Sequence, residues 1–171
     1  MNENNAKEII IIRPLRKADL PALEWEGEYL HFRRVFQDVY KRIEKGTVKS
    51  WVALTQDDQM IGQVFLQLTS DRKELADGWK RAYLYSLRVK PAWRNRGIGS
   101  KILSVLEEDL LKMNYSSLTL NVARENEGAI RLYERLGFQI VGREDGVWSY
   151  PDHNGKWQTV DEPSWRMEKR L

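Results

Sequence analysis

The sequence predicts a single-domain α/β fold over residues 1–171, a mixed sheet of about seven strands flanked by helices and containing one parallel pair. Three observations lead there. Residues 82–143 read strand, helix, strand, helix, strand, and a strand that returns after a helix to the same sheet needs a crossover and parallel pairing. Apolar runs separated by short polar turns near both ends of the chain read as antiparallel hairpins. A length of 171 residues suits one domain, which at that size buries roughly 70% of the surface of its extended chain.

The elements follow in order. Ile9–Leu15 is β-branched and suits a strand. Asp19 before Leu20-Pro21-Ala22-Leu23 reads as an N-cap with proline in the first turn of a short helix, which Gly27 interrupts. From Tyr29, the apolar positions Phe32, Val35, Phe36, Val39, Tyr40 and Ile43 recur at steps of three and four, the stripe of an amphipathic helix ending near Gly46. Ser50–Leu54 and Met60–Leu68 flank the turn Gln56-Asp57-Asp58-Gln59 as a hairpin, and residues 70–80 are a polar loop. Ala82–Val89 is a strand ended by Pro91. Gly97–Met113 is a helix of about 25 Å, Ser117–Val122 a strand, and Glu127–Leu136 a helix with Gly137 just past its end. Phe138–Arg143 is a strand, Val147–Tyr150 and Trp157–Val160 form a hairpin with an Asn-Gly turn at Asn154-Gly155, and Trp165–Leu171 continues it or adds a strand.

Composition excludes much chemistry. There are no cysteines and only two histidines, His31 and His153, far apart in sequence, so disulfides, thiolate-ligated metals and a thiol nucleophile are ruled out and no metal is expected. His31 reads as a surface residue and His153 as a turn residue. With 28 Lys and Arg against 25 Asp and Glu the net charge is +3, and the absence of long like-charge runs argues against nucleic acid as a partner. The longest aliphatic run, Ile9–Ile12, is too short for a signal segment or membrane span, so no membrane partner and a cytoplasmic location are expected. Seven Trp, seven Tyr and four Phe must fill a core or line a binding surface.

The most informative stretch is Val89-Lys90-Pro91-Ala92-Trp93-Arg94-Asn95-Arg96-Gly97-Ile98-Gly99-Ser100, a strand end, a short basic loop with two glycines and an immediate helix. Helix N-terminal N–H groups lack internal partners and carry about half a positive charge, so an anion over Gly97–Lys101 gains hydrogen bonds and dipole. Glycine allows close approach, and Arg94 and Arg96 add charge suited to a diphosphate. The pattern is neither a dinucleotide Gly-x-Gly-x-x-Gly nor a P-loop. Farther on, Asn126 and Tyr133 fall on one helix face with Ala129 and Ile130 between them, offering an amide, a small gap and a phenol. Asn126 also reads as an N-cap, and Tyr133 equally as a core residue.

Together the two stretches resemble the GNAT family of acetyl-CoA-dependent N-acetyltransferases. The match lies in Arg94, Gly97 and Gly99 after the strand Tyr83–Val89, and in Asn126, Ala129, Tyr133, Gly137 and Phe138. It covers roughly residues 60–142. The resemblance implies that the strands at 82–89 and 117–122 splay apart around pantetheine. It implies that Leu87, Arg88 and Val89 contact the cofactor, with backbone groups of Leu87 and Val89 serving pantetheine and the acetyl carbonyl. Arg94, Asn95, Arg96, Gly97, Ile98, Gly99 and Ser100 then cradle the pyrophosphate, Asn126 and Ala129 meet the cofactor arm, and Tyr133 lies near its sulfur. Transfer to an amine of a small molecule, a protein N-terminus or a lysine is direct, and Tyr133 protonates the departing thiolate. A CoA-binding sensor without catalysis is the alternative.

The amine side is less defined. Some family members carry a carboxylate on the strand before the phosphate loop, but Ala82–Val89 holds no acid. The candidates for the base are Glu26 and Glu28, ahead of Glu24, beside Trp25 and Tyr29 at the helix break, where aromatics can hold a cationic amine. The C-terminal hairpin, with Trp148, Tyr150, Asp152, Trp157, Asp161, Glu162 and Trp165, forms either a second wall or a dimer surface, so the protein is a monomer or a homodimer.

Overall fold

The computed structural model describes residues 8–171. Among them, strands β1 (Ile11–Pro14), β2 (Val48–Leu54), β3 (Met60–Gln67), β4 (Arg81–Val89), β5 (Ser117–Ala123), β6 (Gln139–Glu144) and β9 (Ser164–Arg170) form one seven-stranded sheet in the order β1-β2-β3-β4-β5-β9-β6. The sheet is mixed. Its parallel pair is β4 with β5, the two strands joined through the helix α2 (Ile98–Lys112). Strands β7 (Val147–Pro151) and β8 (Trp157–Asp161) pair apart from it as a two-stranded ribbon. The last segment therefore adds a strand: β9 inserts antiparallel between β5 and β6.

Alternation along the strands divides the core in two. Trp51, Ala53, Val64, Leu66, Ala82 and Leu84 face α2 and the helix α3 (Glu127–Arg135), packing on Ile98, Ile102, Leu106, Leu110, Tyr133 and Phe138. Val48, Val52, Leu54, Met60 and Phe65 face the N-terminal segments, meeting Leu23, Phe36 and Val39. Phe36 and Val39 belong to α1 (Arg33–Glu44), whose apolar stripe is thus buried on the sheet.

The N-terminal helices depart from the periodicity. Residues Lys17–Gly27 form a 3₁₀ helix, with Arg16 and not Asp19 at the cap. Asp19 lies a turn inside, accepting the Arg16 N–H at 2.7 Å and pairing with Arg13 at 2.7 Å. The expected interruption is a reversal: Trp25 and Glu26 adopt left-handed φ of 47° and 55° before Gly27 at 105°, a conformation that costs a non-glycine residue about 1–2 kcal/mol. Burial of Leu23 and Trp25 holds it. A 3₁₀ turn, Leu30–Phe32, then precedes α1, so the regular helix starts at Arg33 and not at Tyr29. The ribbon turn is also wider than a two-residue Asn-Gly loop: Asp152 Oδ1 accepts the N–H groups of Asn154 and Lys156, each at 2.9 Å, and only Gly155 of the Asn-Gly pair has positive φ.

Candidate functional site

The site begins where β4 and β5 part. Their pairing runs from Arg81↔Ser117 to Leu84↔Leu120 and stops. Just beyond, Phe65 faces Tyr85 while Gln63 faces Arg88, so Val64 alone opposes both Ser86 and Leu87. Ser86 has φ of 52°. This is a β-bulge, which bends its strand and increases local twist; here it carries β4 away from β5. Lys90 donates to the Ile61 carbonyl at 2.8 Å, and Arg88 lies opposite Gln63. Alternation therefore turns the N–H and C=O of Leu87 and Val89 to the other edge, into the gap. The Val89 carbonyl there accepts Arg94 Nε at 3.0 Å, tying the loop back to the strand.

The loop after β4 passes through a 3₁₀ turn at Pro91–Trp93, then Asn95 and Gly97 take φ of 61° and 77° and α2 begins. Buried Ile98 anchors the first turn in the core. The first helical bond runs from Lys101 N–H to the Gly97 carbonyl at 3.0 Å, leaving the N–H groups of Ile98, Gly99 and Ser100 without a partner among the described residues. Glycine keeps this end open: a Cβ at Gly97 would meet nothing within 4 Å, and one at Gly99 only Val89 Cγ2 at 4.0 Å. Arg96 lies 4.8 Å over the Trp93 ring. Free N–H groups, bare backbone and nearby guanidinium groups fit a phosphate ester.

On the same face of the sheet, Asn126 caps α3 by accepting the Ala129 N–H at 3.1 Å. Tyr133, one face along, is 9% exposed and meets Phe138 edge-on at 5.6 Å. Burial pushes its hydroxyl up to about 12, so it stays protonated at neutral pH.

The opposite face holds a cavity of about 500 Å³ that reaches the gap at Ser86, Asn121 and Ala123. Phe32, Phe36, Phe65, Tyr83, Tyr85 and Trp148 supply its aromatic walls. Trp148 of the ribbon stacks on Phe32 at 6.2 Å and 19°, so the ribbon covers one end. Tyr83 and Tyr85, stacked 5.7 Å apart, are both pushed up to about 12 by burial. At the other end Glu144 accepts from Arg72 at 2.7 and 3.0 Å and from Arg166 at 2.9 Å; the Arg72 bond foremost holds its carboxyl below the usual range, against the opposing effect of burial.

Residues 13–138 match the acetyltransferase (GNAT) family. The chain belongs to that family. Of its curated relatives, the [ribosomal protein bS18]-alanine N-acetyltransferase of Escherichia coli K12 is 33% identical over 105 residues, 55% of this chain and 65% of that protein, just under two thirds of its length. The thialysine N-epsilon-acetyltransferase of Bos taurus is 40% identical over 70 residues, 40% of this chain and 41% of that protein. Arabidopsis thaliana NAA60 in complex with acetyl-CoA superposes with a TM-score of 0.72 at 23% identity, covering 95% of this chain and 99% of that one. The ribosomal-protein-S18-alanine N-acetyltransferase structure from Escherichia coli gives 0.70 at 24%, covering 95% and 94%. These likenesses show the GNAT fold.

Within this GNAT chain the sequence-predicted residues separate by face. Leu87, Val89, Ile98, Ala129 and Tyr133 pack in or against the core on the face carrying α2 and α3, and Gly97–Ser100 and Asn126 stand at the starts of those two helices. Arg88 contributes its backbone to β3, while its side chain enters the cavity on the other face, 4.1 Å over Tyr29. Glu26 is exposed and pairs with Lys90 at 3.1 Å, Glu24 is bound by Arg33 at 2.9 Å, and Glu28 is exposed; none of the three lines the cavity. His31 packs 4.3 Å from Phe32. No helix among the described residues is long and apolar enough to cross a membrane. Sequence reasoning offered the C-terminal hairpin as a wall, and its Trp148 and Glu162 line the cavity, but it missed Phe32, Phe36, Phe65, Tyr83 and Tyr85 as walls. Alternation of Tyr83 and Tyr85 was a usable signal, but nothing local pairs Arg72 with Glu144, 72 positions away.

Proposed function

We propose that the protein is an acetyl-CoA-dependent N-acetyltransferase that moves the acetyl group directly to an amine in a ternary complex. The observation that carries this reading is the parting of β4 and β5 beyond Leu84↔Leu120, with a phosphate-suited helix start on one face and an aromatic-walled cavity on the other. In this reading the pyrophosphate lies over Gly97–Ser100 with Arg94, Asn95 and Arg96 around it. Asn126 and Ala129 border the cofactor arm, and the thioester reaches the gap beside Leu87 and Val89.

The chemistry follows from the groups around the gap. The amine, entering neutral from the cavity, forms a bond to the thioester carbonyl carbon, and backbone N–H at Leu87 stabilises the oxyanion. As the C–S bond breaks, Tyr133 gives its proton to the leaving thiolate, a task for which a protonated, buried phenol is suited, and the proton that the attacking nitrogen sheds as the amide forms returns through water to the Tyr133 phenolate. An alkylammonium, with a pKa near about 10.4, must first lose a proton. That proton passes to bulk solvent before the amine enters; Glu26 and Glu28, the candidates for the base, are exposed and outside the cavity and so are not placed to take it from a bound amine. A soluble amine in the cytoplasm is the expected acceptor.

The test is thiol release from acetyl-CoA with a panel of polyamines, aminoglycosides, amino acids and N-terminal peptides, with the N-acetyl product measured in parallel. Release matched by product supports transfer. Saturable acetyl-CoA binding with no product from any amine contradicts it and leaves a CoA-binding module.

A further inference from the structure

We propose that the acceptor is a small amine carrying a carboxylate on an apolar or aromatic body, and that Arg88 receives the carboxylate. This deepens the transfer reading above and rests on it. Arg88 follows Leu87, whose backbone faces the gap, so a group bound by its side chain lies about one or two residue rises, 3–7 Å along the strand, from the reacting carbonyl. Its guanidinium lines the cavity, 4.1 Å over Tyr29 and 5.5 Å over Phe32.

That guanidinium is unspent. The Arg88 side chain makes no hydrogen bond or ion pair among the described residues, and its Nη1 is buried without a partner. Arg72, the other arginine of the wall, is by contrast engaged by Glu144 and Glu74. The acid whose charge reaches Arg88, Glu28, is exposed and beyond ion-pair distance. A desolvated cation with open donors is costly unless an anion completes it, and a guanidinium presents a fork matched to carboxylate.

Gln63 adds a second unspent group. It stands directly across from Arg88, so the two side chains share a face, and it is fully buried with neither Oε1 nor Nε2 hydrogen-bonded among the described residues. The whole cavity measures about 500 Å³, within the range of small-molecule pockets; Phe36, Phe65, Tyr85 and Trp148 wall it with Arg88, and its lining also holds Glu144, Asp145 and Glu162. A polycation would bring a further positive charge to a cavity that already holds the unpaired Arg88 guanidinium, and the cavity acids Asp145 and Glu162 are the groups that would have to offset it.

The experiment uses the full chain saturated with CoA and a panel of α- and ω-amino acids with apolar or aromatic bodies, each paired with its decarboxylated or amidated analogue. Binding is read by calorimetry and acetylation by thiol release. We expect each preferred carboxylate amine to exceed its analogue by about ten- to hundredfold, the scale of a charge-assisted pair. In Arg88→Gln that ratio falls to near one, and Arg88→Lys restores part of it; acetyl-CoA affinity is read in each variant to report an intact fold. Carboxylate amines that bind no better than their analogues, or a ratio that survives Arg88→Gln, overturn the proposal. Efficient acetylation of polyamines alone also overturns it while leaving the transfer reading intact. Selective binding lost in Arg88→Gln but without product supports Arg88 and contradicts transfer.

Discussion

Tyr133 is a phenol that burial keeps from ionising, with its hydroxyl pushed up to about 12. In the acid role proposed for it, Tyr133→Phe lowers kcat by about 10²–10⁴ and spares acetyl-CoA affinity; unchanged turnover removes it from that role. Its ionisation sets no alkaline limb on the rate below about pH 11, so kcat/KM should rise with pH as the amine deprotonates and then level. Glu144 works differently, as the shared partner of Arg72 and Arg166. Glu144→Gln leaves two guanidinium groups short of an anion and should cost about 1–3 kcal/mol in denaturant unfolding. The contrast explains what the sequence could reveal. Asn126, Ala129 and Tyr133 are readable because a helix fixes their relation through spacing alone. Glu144 and its arginines meet only through tertiary packing, and Arg88, expected to contact the cofactor, has its side chain in the cavity on the other face because of a strand register that a bulge shifts without a local mark.

The bulge at Ser86 makes the gap, and the start of α2 is the place proposed for the pyrophosphate. Gly99 carries this most directly, since a Cβ there meets only Val89 Cγ2 at 4.0 Å. Gly99→Trp should fold with an unchanged Tm yet lose acetyl-CoA binding in calorimetry, and retained affinity would displace the phosphate from this loop. Gly146 shows the opposite case: a Cβ there lies 1.7 Å from the Glu162 carbonyl, at φ of 68°. Gly146→Ala should therefore lower Tm clearly and loosen the ribbon over the cavity. Strands and the two regular helices after Val89 were legible because apolar period and glycine position agree. The 3₁₀ segment was not, because its shape comes from Trp25 and Glu26 in strained conformations held by burial. Nor was the insertion of β9 between β5 and β6, which depends on pairing partners distant in sequence.

At the scale of the molecule, one sheet separates an open, glycine-bearing helix start on the α2 face from an aromatic-walled cavity on the other, and the parted strands lie between them. The buried groups also shape stability against pH. Tyr83, Tyr85 and Tyr133 are raised to about 12 from 10.0, so the folded state holds protons that the unfolded chain releases. Their contribution is full below about pH 10 and is lost as pH rises toward 12. Asp19 and Glu144 are lowered, so theirs is present above the ordinary carboxylate range and lost as acid protonates them. Thermal unfolding across pH should show both flanks. The central claim, direct transfer across the gap, is tested by initial rates with acetyl-CoA and an accepted amine both varied. Intersecting double-reciprocal lines, with no acetyl group left on the protein, are the predicted result; parallel lines with an acetylated protein intermediate would contradict it.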